Sequence, residues 1–567
     1  MNGDTSKMDV EDEKRILIVG GVAGGATCAA RARRLSEKAE VIIFERGPYV
    51  SFANCGLPYY VGDVITEEEN LLVATAELFK ERFNIDVRTE SNVLSIDRER
   101  NEIKVKDLKT ASVYHERYDA LVLSPGAAPI RPPLPGVNLP GIFALRTIPD
   151  SRQIREWIIQ RNVKNAIIVG GGFIGLEMAE NLVKRGISIA IVEMQAQVMP
   201  SFDPEMAAPI HDHLTAHGVS LHLGDPVAGF EQNTDGTISV STKSGNAYTA
   251  DLVILAIGIR PETTLAREAG LEIGARGGIR VDDQMRTGDE RIWAVGDAVE
   301  VRDFITGKWI NIPLAGPAHR QGRIAAGAIL GRDVRFRGVQ ATAVCSVFGM
   351  TIASTGASEK TLKQVCAADQ PVHYGKIYLY PGHHVEYYPG AEPIALKLIF
   401  STKDGKVLGA QAVGMEGVDK RIDVIAQAIQ RNSTVFDLEE AELCYAPQFG
   451  AAKDPVNVAG MIAANALRGD APIAYWEDLA ETDALIVDVR SAADFEAGHI
   501  EGALNIPLAE LRTRMTELPH DRKIWVYCRV GQRSYYATRA LRLNGFNTQN
   551  LSGGFQTYQS MRQFISQ

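Results

Sequence analysis

The chain has 567 residues, 45% hydrophobic and 23% charged, with a formal net charge of −10. That length exceeds a single core and predicts about three or four domains. The acidic balance excludes a general nucleic-acid binder or a polybasic membrane anchor, and no run approaches the roughly 18 consecutive apolar residues of a membrane span. Residues 1–13 are polar and acidic, without the apolar segment of a secretory signal. Six cysteines, at 28, 55, 345, 366, 444 and 528, are scattered without CxxC or zinc-ligand spacing. That pattern fits a reducing, cytoplasmic setting and predicts no metal site.

In chain order, the apolar run Arg15 to Val19 predicts a buried parallel strand. It leads into Gly20-Gly21-Val22-Ala23-Gly24-Gly25 and an Ala- and Arg-rich helix to about Leu35. A second run, Val41 to Phe44, ends at Glu45, 25 positions after Gly20, with Arg46 next. This is a βαβ nucleotide unit: glycines permit the tight turn, the helix N-terminus takes a pyrophosphate, and the acid accepts from a ribose hydroxyl. Its second fingerprint position holds Val22 where glycine is expected. There follows Ser51-Phe52-Ala53-Asn54-Cys55-Gly56-Leu57-Pro58, one cysteine in a short loop. A lone free cysteine is by default a small buried hydrophobe; the flanking motifs make Cys55 a candidate redox thiol.

A second unit is complete. Strand residues 166–169 lead into Gly170, Gly172 and Gly175 of a full GxGxxG, a helix follows, and the strand 188–192 closes at Glu193. An acid there favours an unphosphorylated ribose, so NADH is expected over NADPH. Strands near 121–123 and 253–257 stop at Gly126 and Gly258, and a late strand ends in Gly296-Asp297. The simplest topology is one Rossmann-like domain, 15–150 and 260–335, interrupted by another at 151–259, after a polar tail at 1–14. Alternation in 395–400 and helices from about 419 to 466 predict an α+β domain over 336–467 without a nucleotide motif. A short Gly/Pro linker then precedes an α/β segment, 473–567, with strands at 484–490 and 523–528.

Two dinucleotide units, a Gly-Asp strand and an α+β domain closely resemble the FAD-dependent pyridine nucleotide–disulfide oxidoreductases over about 15–466. Most of that family carries a CxxxxC disulfide. The single Cys55 resembles the branch of coenzyme A-disulfide reductases, NADH peroxidases and NADH oxidases, which often lacks the central glycine replaced here by Val22. The resemblance implies FAD held by Gly20, Val22, Ala23, Gly25, Glu45, Arg46, Gly126 and Asp297. It implies NADH at Gly170, Gly172, Gly175, Glu193 and Gly258. It makes 336–467 a dimerisation domain and the protein a homodimer. Coenzyme A is implied along Thr27, Arg31 and Arg34, on one helix face at i, i+4, i+7 spacing, with Ser51, Asn54 and His319. Tyr445, and Tyr387 or Tyr388 with Tyr387 preferred, match family tyrosines that reach the facing subunit's cysteine.

The segment 473–567 resembles a rhodanese domain, carried by Asp488-Val489-Arg490, Gly498 to Ala503, and the loop Cys528 to Ser534. A cysteine ending a strand before a helix N-terminus, with Arg529, Gly531, Arg533 and Ser534, resembles a persulfide cradle that favours the thiolate. The expected whole is an α/β enzyme in which NADH reduces a disulfide or persulfide at Cys55, and Cys528 relays sulfane sulfur. A peroxide or oxygen reductase cycling Cys55 through sulfenic acid, and a non-catalytic sulfur carrier or redox sensor, are the rival readings.

Overall fold

A computed structural model describes residues 13–366 and 372–565; most of the expected N-terminal tail lies outside them. The described chain forms two compact units: residues up to 192 with 226–341, and 193–225 with 342 onward. No helix among the described residues is long and apolar enough to cross a membrane.

The first unit holds the two Rossmann-like sheets, one inserted in the other. The first sheet orders its parallel strands Ile292–Ala294, Ala120–Leu123, Arg15–Val19, Glu40–Phe44 and Asp86–Arg88. Ile16, Leu17 and Ile18 are wholly buried, as a strand covered on both faces requires. Ile292–Ala294 pairs with Leu121–Leu123, so the chain returns to its first sheet after building the second. In the inserted sheet, Asn165–Val169 pairs in parallel with Ser188–Glu193 on one side and Leu252–Leu255 on the other. It also takes in Ile142–Phe143, ahead of residue 151. Two antiparallel three-stranded sheets, within 91–117 and 227–250, belong to the same unit, with smaller sheets pairing 127–129 with 259–261 and joining strands within 279–310.

Helices Ala23–Leu35 and Ala315–Ile329 pack side by side in the same direction. Glycine permits the approach: a Cβ on Gly322 would lie 2.3 Å from the Gly24 carbonyl oxygen.

The second unit contains an antiparallel sheet ordered Ala343–Val347, Met350–Gly356, Val407–Gly414, Ile394–Ser401 and Tyr374–Leu379, with helices Val418–Gln430 and Pro455–Leu467. Its C-terminal layer is a parallel sheet ordered Ile473–Ala474, Thr548–Leu551, Ile524–Tyr527, Leu485–Asp488 and Leu504–Asn505. The two sheets are stitched together by Tyr378 N–H to Ser552 Oγ at 3.0 Å and by Tyr380 and Thr557 hydroxyls at 2.8 Å. Between them lies a buried ionic network. Lys397 Nζ is 2.8 Å from Asp203, 2.5 Å from Glu205 and 3.0 Å from Glu359. Lys376 adds a bond to Glu359 at 2.8 Å and pairs with Glu477. Asp203, Glu205 and Glu359 are close enough to converge on a metal ion, but the Lys397 ammonium meets all three.

Candidate active site

A cleft of about 1020 Å³ opens at the C-terminal end of the first sheet, where open α/β sheets bind nucleotides. Gly20, Val22, Ala23, Glu45, Arg46, Gly126 and Asp297 line it, together with Phe52 and Asn54 of the cysteine loop. Gly20 (φ +92°) makes the turn, and a Cβ there would lie 2.1 Å from the Ser124 carbonyl oxygen. Gly25 lies outside the lining and permits packing: its Cβ would strike the Gly20 oxygen at 1.9 Å. Glu45 accepts from the N–H groups of Gly21 at 2.9 Å and Gly47 at 2.8 Å, so its carboxylate is fixed at the cleft. Burial raises the Asp297 carboxyl, opposed by Arg146. Arg146 also pairs with Glu262 at 3.0 Å; both line the cleft. Neither had a motif to announce it.

The second turn repeats the steric logic. Gly170 (φ +107°) and Gly175 leave no room for a Cβ, at 2.4 Å from Ala256 O and 2.1 Å from Gly170 O. A Cβ on Gly172 would meet nothing within 4 Å, the open approach a pyrophosphate needs. Gly258 (φ +103°) likewise forms a left-handed turn. Glu193 closes its strand and accepts from the Gln195 N–H at 2.8 Å. Both glycine turns therefore fit a dinucleotide.

Cys55 lies exposed in a short turn over Asn54–Gly56, followed at once by the helix Leu57–Val61. Ser51 (φ +48°) sets the bend and donates its N–H to Gly21 O at 2.9 Å, tying the loop to the first glycine turn. The helix Leu57–Val61 packs on the helix Phe173–Lys184, and Gly62 abuts Asn181. That contact brings in Glu177, four residues before Asn181, which sequence reading passed over. The Cys55 thiol is pushed up by partial desolvation, then by Glu177 and Asp297, against a smaller opposing effect of its backbone hydrogen bond. Glu177 is itself pushed up to about 7 by burial and then by Glu180. The only signal for it was its place in Gly170 to Glu177, a motif read for backbone glycines.

Thr27 Oγ1 and His319 Nδ1 meet at 2.5 Å across the paired helices, with Arg31 and Arg34 further along the first. In the second unit, Tyr387 and Tyr445 share a hydroxyl–hydroxyl bond of 2.7 Å and are both exposed. Tyr388 turns instead to His384, edge-on at 5.5 Å. The Tyr445 hydroxyl is pushed up by its bond to Tyr387, then by desolvation.

Cys528 is almost fully buried at the end of strand Ile524–Tyr527. The Gly531 N–H donates to its Sγ at 3.2 Å, and the Ser534 hydroxyl lies 3.4 Å from Sγ and 3.0 Å from Gly531 O. Gly531 (φ +96°) caps the helix Gln532–Leu543, and its own amide hydrogen is aimed at sulfur. Arg529 is exposed and Arg533 half-buried on the same loop. Beneath it, Arg490 grips Asp488 at 2.6 Å and donates to Gly498 O at 2.7 Å. Its guanidinium lies over Phe555, 4.4 Å from the ring centroid.

The two glycine turns, the cleft at the first of them and the buried strand-end thiol define a flavin- and nicotinamide-dependent oxidoreductase carrying a sulfur-transfer module. The chain belongs to the pyridine nucleotide-disulphide oxidoreductases: that family's model matches 14–322, its dimerisation domain 342–454, and a rhodanese-like domain 472–561. It is 36% identical to an NADH oxidase of Methanocaldococcus jannaschii, over 78% of this chain and 97% of that one. It is 34% identical to a coenzyme A disulfide reductase of Staphylococcus aureus, over 79% and 99%. Among solved structures, reduced Bacillus anthracis CoADR-RHD shares 46% identity, with a TM-score of 0.93 over 97% of this chain and 98% of that one. A NAD-dependent persulfide reductase from A. fulgidus shares 37%, with a TM-score of 0.88 over 96% and 100%.

Proposed function

We propose that the protein uses NADH to reduce coenzyme A persulfide and coenzyme A disulfide through Cys55, while Cys528 relays sulfane sulfur. The observation that carries the reading is the pairing, in one chain, of a thiol loop tied to the first nucleotide turn with a second thiol in an amide cradle. Bound at the cleft, FAD would supply two-electron transfer from NADH to sulfur. The chain does the rest. Gly20, Val22, Ala23, Gly25, Glu45, Arg46, Gly126 and Asp297 hold the flavin nucleotide. Gly170, Gly172, Gly175, Gly258 and Glu193 hold NADH, and the acid at 193 disfavours a 2′-phosphate. Thr27, Arg31, Arg34, Ser51, Asn54 and His319 orient coenzyme A with its sulfur toward Cys55.

The Cys55 thiolate displaces hydrosulfide from the persulfide to leave a mixed disulfide, or accepts the outer sulfur and releases the coenzyme A thiol. Two electrons then cleave that S–S bond and restore the thiolate. The sum is NADH, a proton and coenzyme A persulfide giving NAD⁺, coenzyme A and hydrogen sulfide. Tyr445 and Tyr387, sharing one hydrogen bond, would protonate the departing thiolate in the partner subunit of a homodimer. Six free cysteines fit a reducing, cytoplasmic setting.

The oxidase relative favours a second reading, oxygen or peroxide reduction through a Cys55 sulfenic acid. That relative matches only 78% of this chain, whereas the two neighbours spanning 96% or more, rhodanese-like segment included, are the CoADR-RHD and the persulfide reductase. The test is anaerobic: NADH should bleach the yellow holoenzyme faster than NADPH, and coenzyme A persulfide should restore the colour where peroxide does not. Recolouring by peroxide at an equal rate would establish the second reading. Sedimentation should return a dimer; a fully active monomer would exclude the tyrosines from the partner's site.

A further inference from the structure

The helix Leu57–Val61, which follows Cys55 at once, is five residues long and too short to hold its form unaided. The thiol loop ahead of it is tied to the first glycine turn through Ser51, and the Ala53 N–H closes its base by donating to Leu71 O at 2.8 Å. The far end of the helix is held differently. The last carbonyls of a helix lack partners within it; here Arg155 donates to Tyr60 O, and Arg185 to Val61 O at 2.8 Å. Both guanidiniums then meet on one carboxylate, with Asp63 2.6 Å from Arg155 and 3.4 Å from Arg185. Arg155 also lies over the Tyr60 ring, 4.2 Å from its centroid.

Neither arginine belongs to the thiol loop's own stretch of chain. Arg155 sits in the helix Ile148–Arg161, and Arg185 ends the helix Phe173–Lys184, which starts at the second glycine turn. On the same helix as Arg155, Arg152 grips Glu68 at 2.6 Å and the Tyr49 hydroxyl at 2.8 Å; Tyr49 lines the cleft. Gly62, beside Asp63, admits Asn181, whose Oδ1 would lie 2.3 Å from a Cβ there and whose Nδ2 donates to Glu177 O at 2.8 Å. The thiol segment is therefore fixed at one end to the first glycine turn and at the other to the helices around the second. The two arginines are mostly buried, but Asp63 keeps 44% of its side chain exposed. Exposed ion pairs contribute little to the stability of a fold. What this arrangement fixes is where the short helix lies, and with it where Cys55 lies.

We infer that Arg155 and Arg185 are positioning residues for the thiol step: they clamp the C-terminal carbonyls of Leu57–Val61, Asp63 holds the two guanidiniums side by side, and the clamp sets the alignment of Cys55 at the cleft. This rests on the Cys55 reading above and deepens it. A misplacement of about 1 Å at a reacting atom can lower a rate on the order of a hundredfold, so a loop carrying a single thiol needs both of its ends held. Arginine suits the task because its planar fork serves a carbonyl and a carboxylate together.

The test separates the two half-reactions of the FAD-loaded enzyme by anaerobic stopped flow. Bleaching by NADH does not involve Cys55. Reoxidation of the NADH-reduced flavin by coenzyme A disulfide, which yields two coenzyme A thiols, does. In R155Q/R185Q the reoxidation rate at saturating disulfide should fall about tenfold or more. Bleaching should stay within about twofold, and the disulfide concentration giving half the maximal rate within about threefold. R155K/R185K should recover part of the rate, since an ammonium reaches the carbonyl without forking onto the carboxylate. D63N keeps the left-handed turn at φ +59° and removes only the shared charge. It should show the same split in smaller measure, about threefold, and it decides the matter if the double variant loses its flavin absorbance. Reoxidation at the wild-type rate in these variants, or bleaching and reoxidation slowed alike, overturns the clamp and leaves the Cys55 reading standing. A wild type that coenzyme A disulfide does not reoxidise, or a Cys55→Ser enzyme that it does, overturns both.

Discussion

A thiolate at Cys55 must form against two carboxylates, Glu177 and Asp297, with no cation of its own loop beside it. Glu177, poised at about 7, makes that opposition depend on pH, because only its ionised form raises the thiol. Replacing it by glutamine removes the charge, so the Cys55 thiol should ionise at lower pH. Alkylation of the NADH-reduced enzyme at fixed neutral pH should be several-fold faster in Glu177→Gln, and the wild-type inflection near neutrality should vanish. Identical alkylation profiles would show that Glu177 does not govern the thiol. Cys55→Ser should keep FAD and its reduction by NADH, and lose turnover of every sulfur substrate. At this scale the sequence was legible where sterics left one choice: Gly20 and Gly170 are forced by neighbouring carbonyls. It was not legible where adjacent residues share a chemistry, since Tyr387 and Tyr388 differ only in which way the backbone turns them. Glu177 was hidden because its significance comes from packing against a helix more than a hundred residues earlier.

Strand, cradle loop and helix act as one element around Cys528. The left-handed Gly531 directs its N–H at sulfur. A side chain there costs about 1–2 kcal/mol of backbone strain; the thiolate is the nucleophile that carries sulfur. Cys528→Ser should spare coenzyme A disulfide and preformed coenzyme A persulfide, which reach Cys55 directly, and slow or abolish turnover of polysulfide and thiosulfate. Gly531→Ala should lower thiosulfate sulfurtransferase activity by about tenfold or more, the worth of a lost charge-assisted hydrogen bond, without reducing FAD content. Equal losses of Cys528→Ser on all donors would place Cys528 in the main cycle, and no loss on any would leave the module idle. Apolar runs made most parallel strands readable as elements, including Ile524–Tyr527 beside the cysteine. The antiparallel sheet within 91–117 escaped because its strands alternate charged and apolar residues without a motif. The return of Ile292–Ala294 to the first sheet was readable from its Gly-Asp end.

Across the second unit, distant parts of the chain meet in one buried ionic network: Asp203, Glu205 and Glu359 close on Lys397 of the antiparallel sheet, and Lys376 of the same sheet links Glu359 to Glu477 of the C-terminal layer. No local pattern predicts this, because each charge reads alone as a solvated surface residue. Burial alone would raise Glu359, but Lys397 and then Lys376 hold it well below the carboxylate range. Asp203 is lowered in the same way, burial opposed by Lys397. Burial would lower Lys397, but Glu205, Tyr378, Asp203 and Glu359 hold it well above its usual value. The lowered carboxylates contribute stability that is present above their unfolded values near 4 and is lost as pH falls through the folded ones. The raised lysine contributes stability that is present below its unfolded value near 10.4 and is lost only as pH rises through its higher folded one. Lys397→Met strands Asp203 and Glu205, leaving Glu359 its bond to Lys376, and should cost about 3–5 kcal/mol at neutral pH. In that variant Asp203 loses the cation that lowers it, burial raises it, and its protonation gains stability. The wild type keeps its carboxylate contribution down to about pH 4, so the difference in Tm should narrow from pH 7 towards pH 4 through the variant's gain alone. Thermal unfolding by circular dichroism across that range decides it: a gap that stays constant, or widens with acid, would mean that Lys397 contributes packing rather than charge.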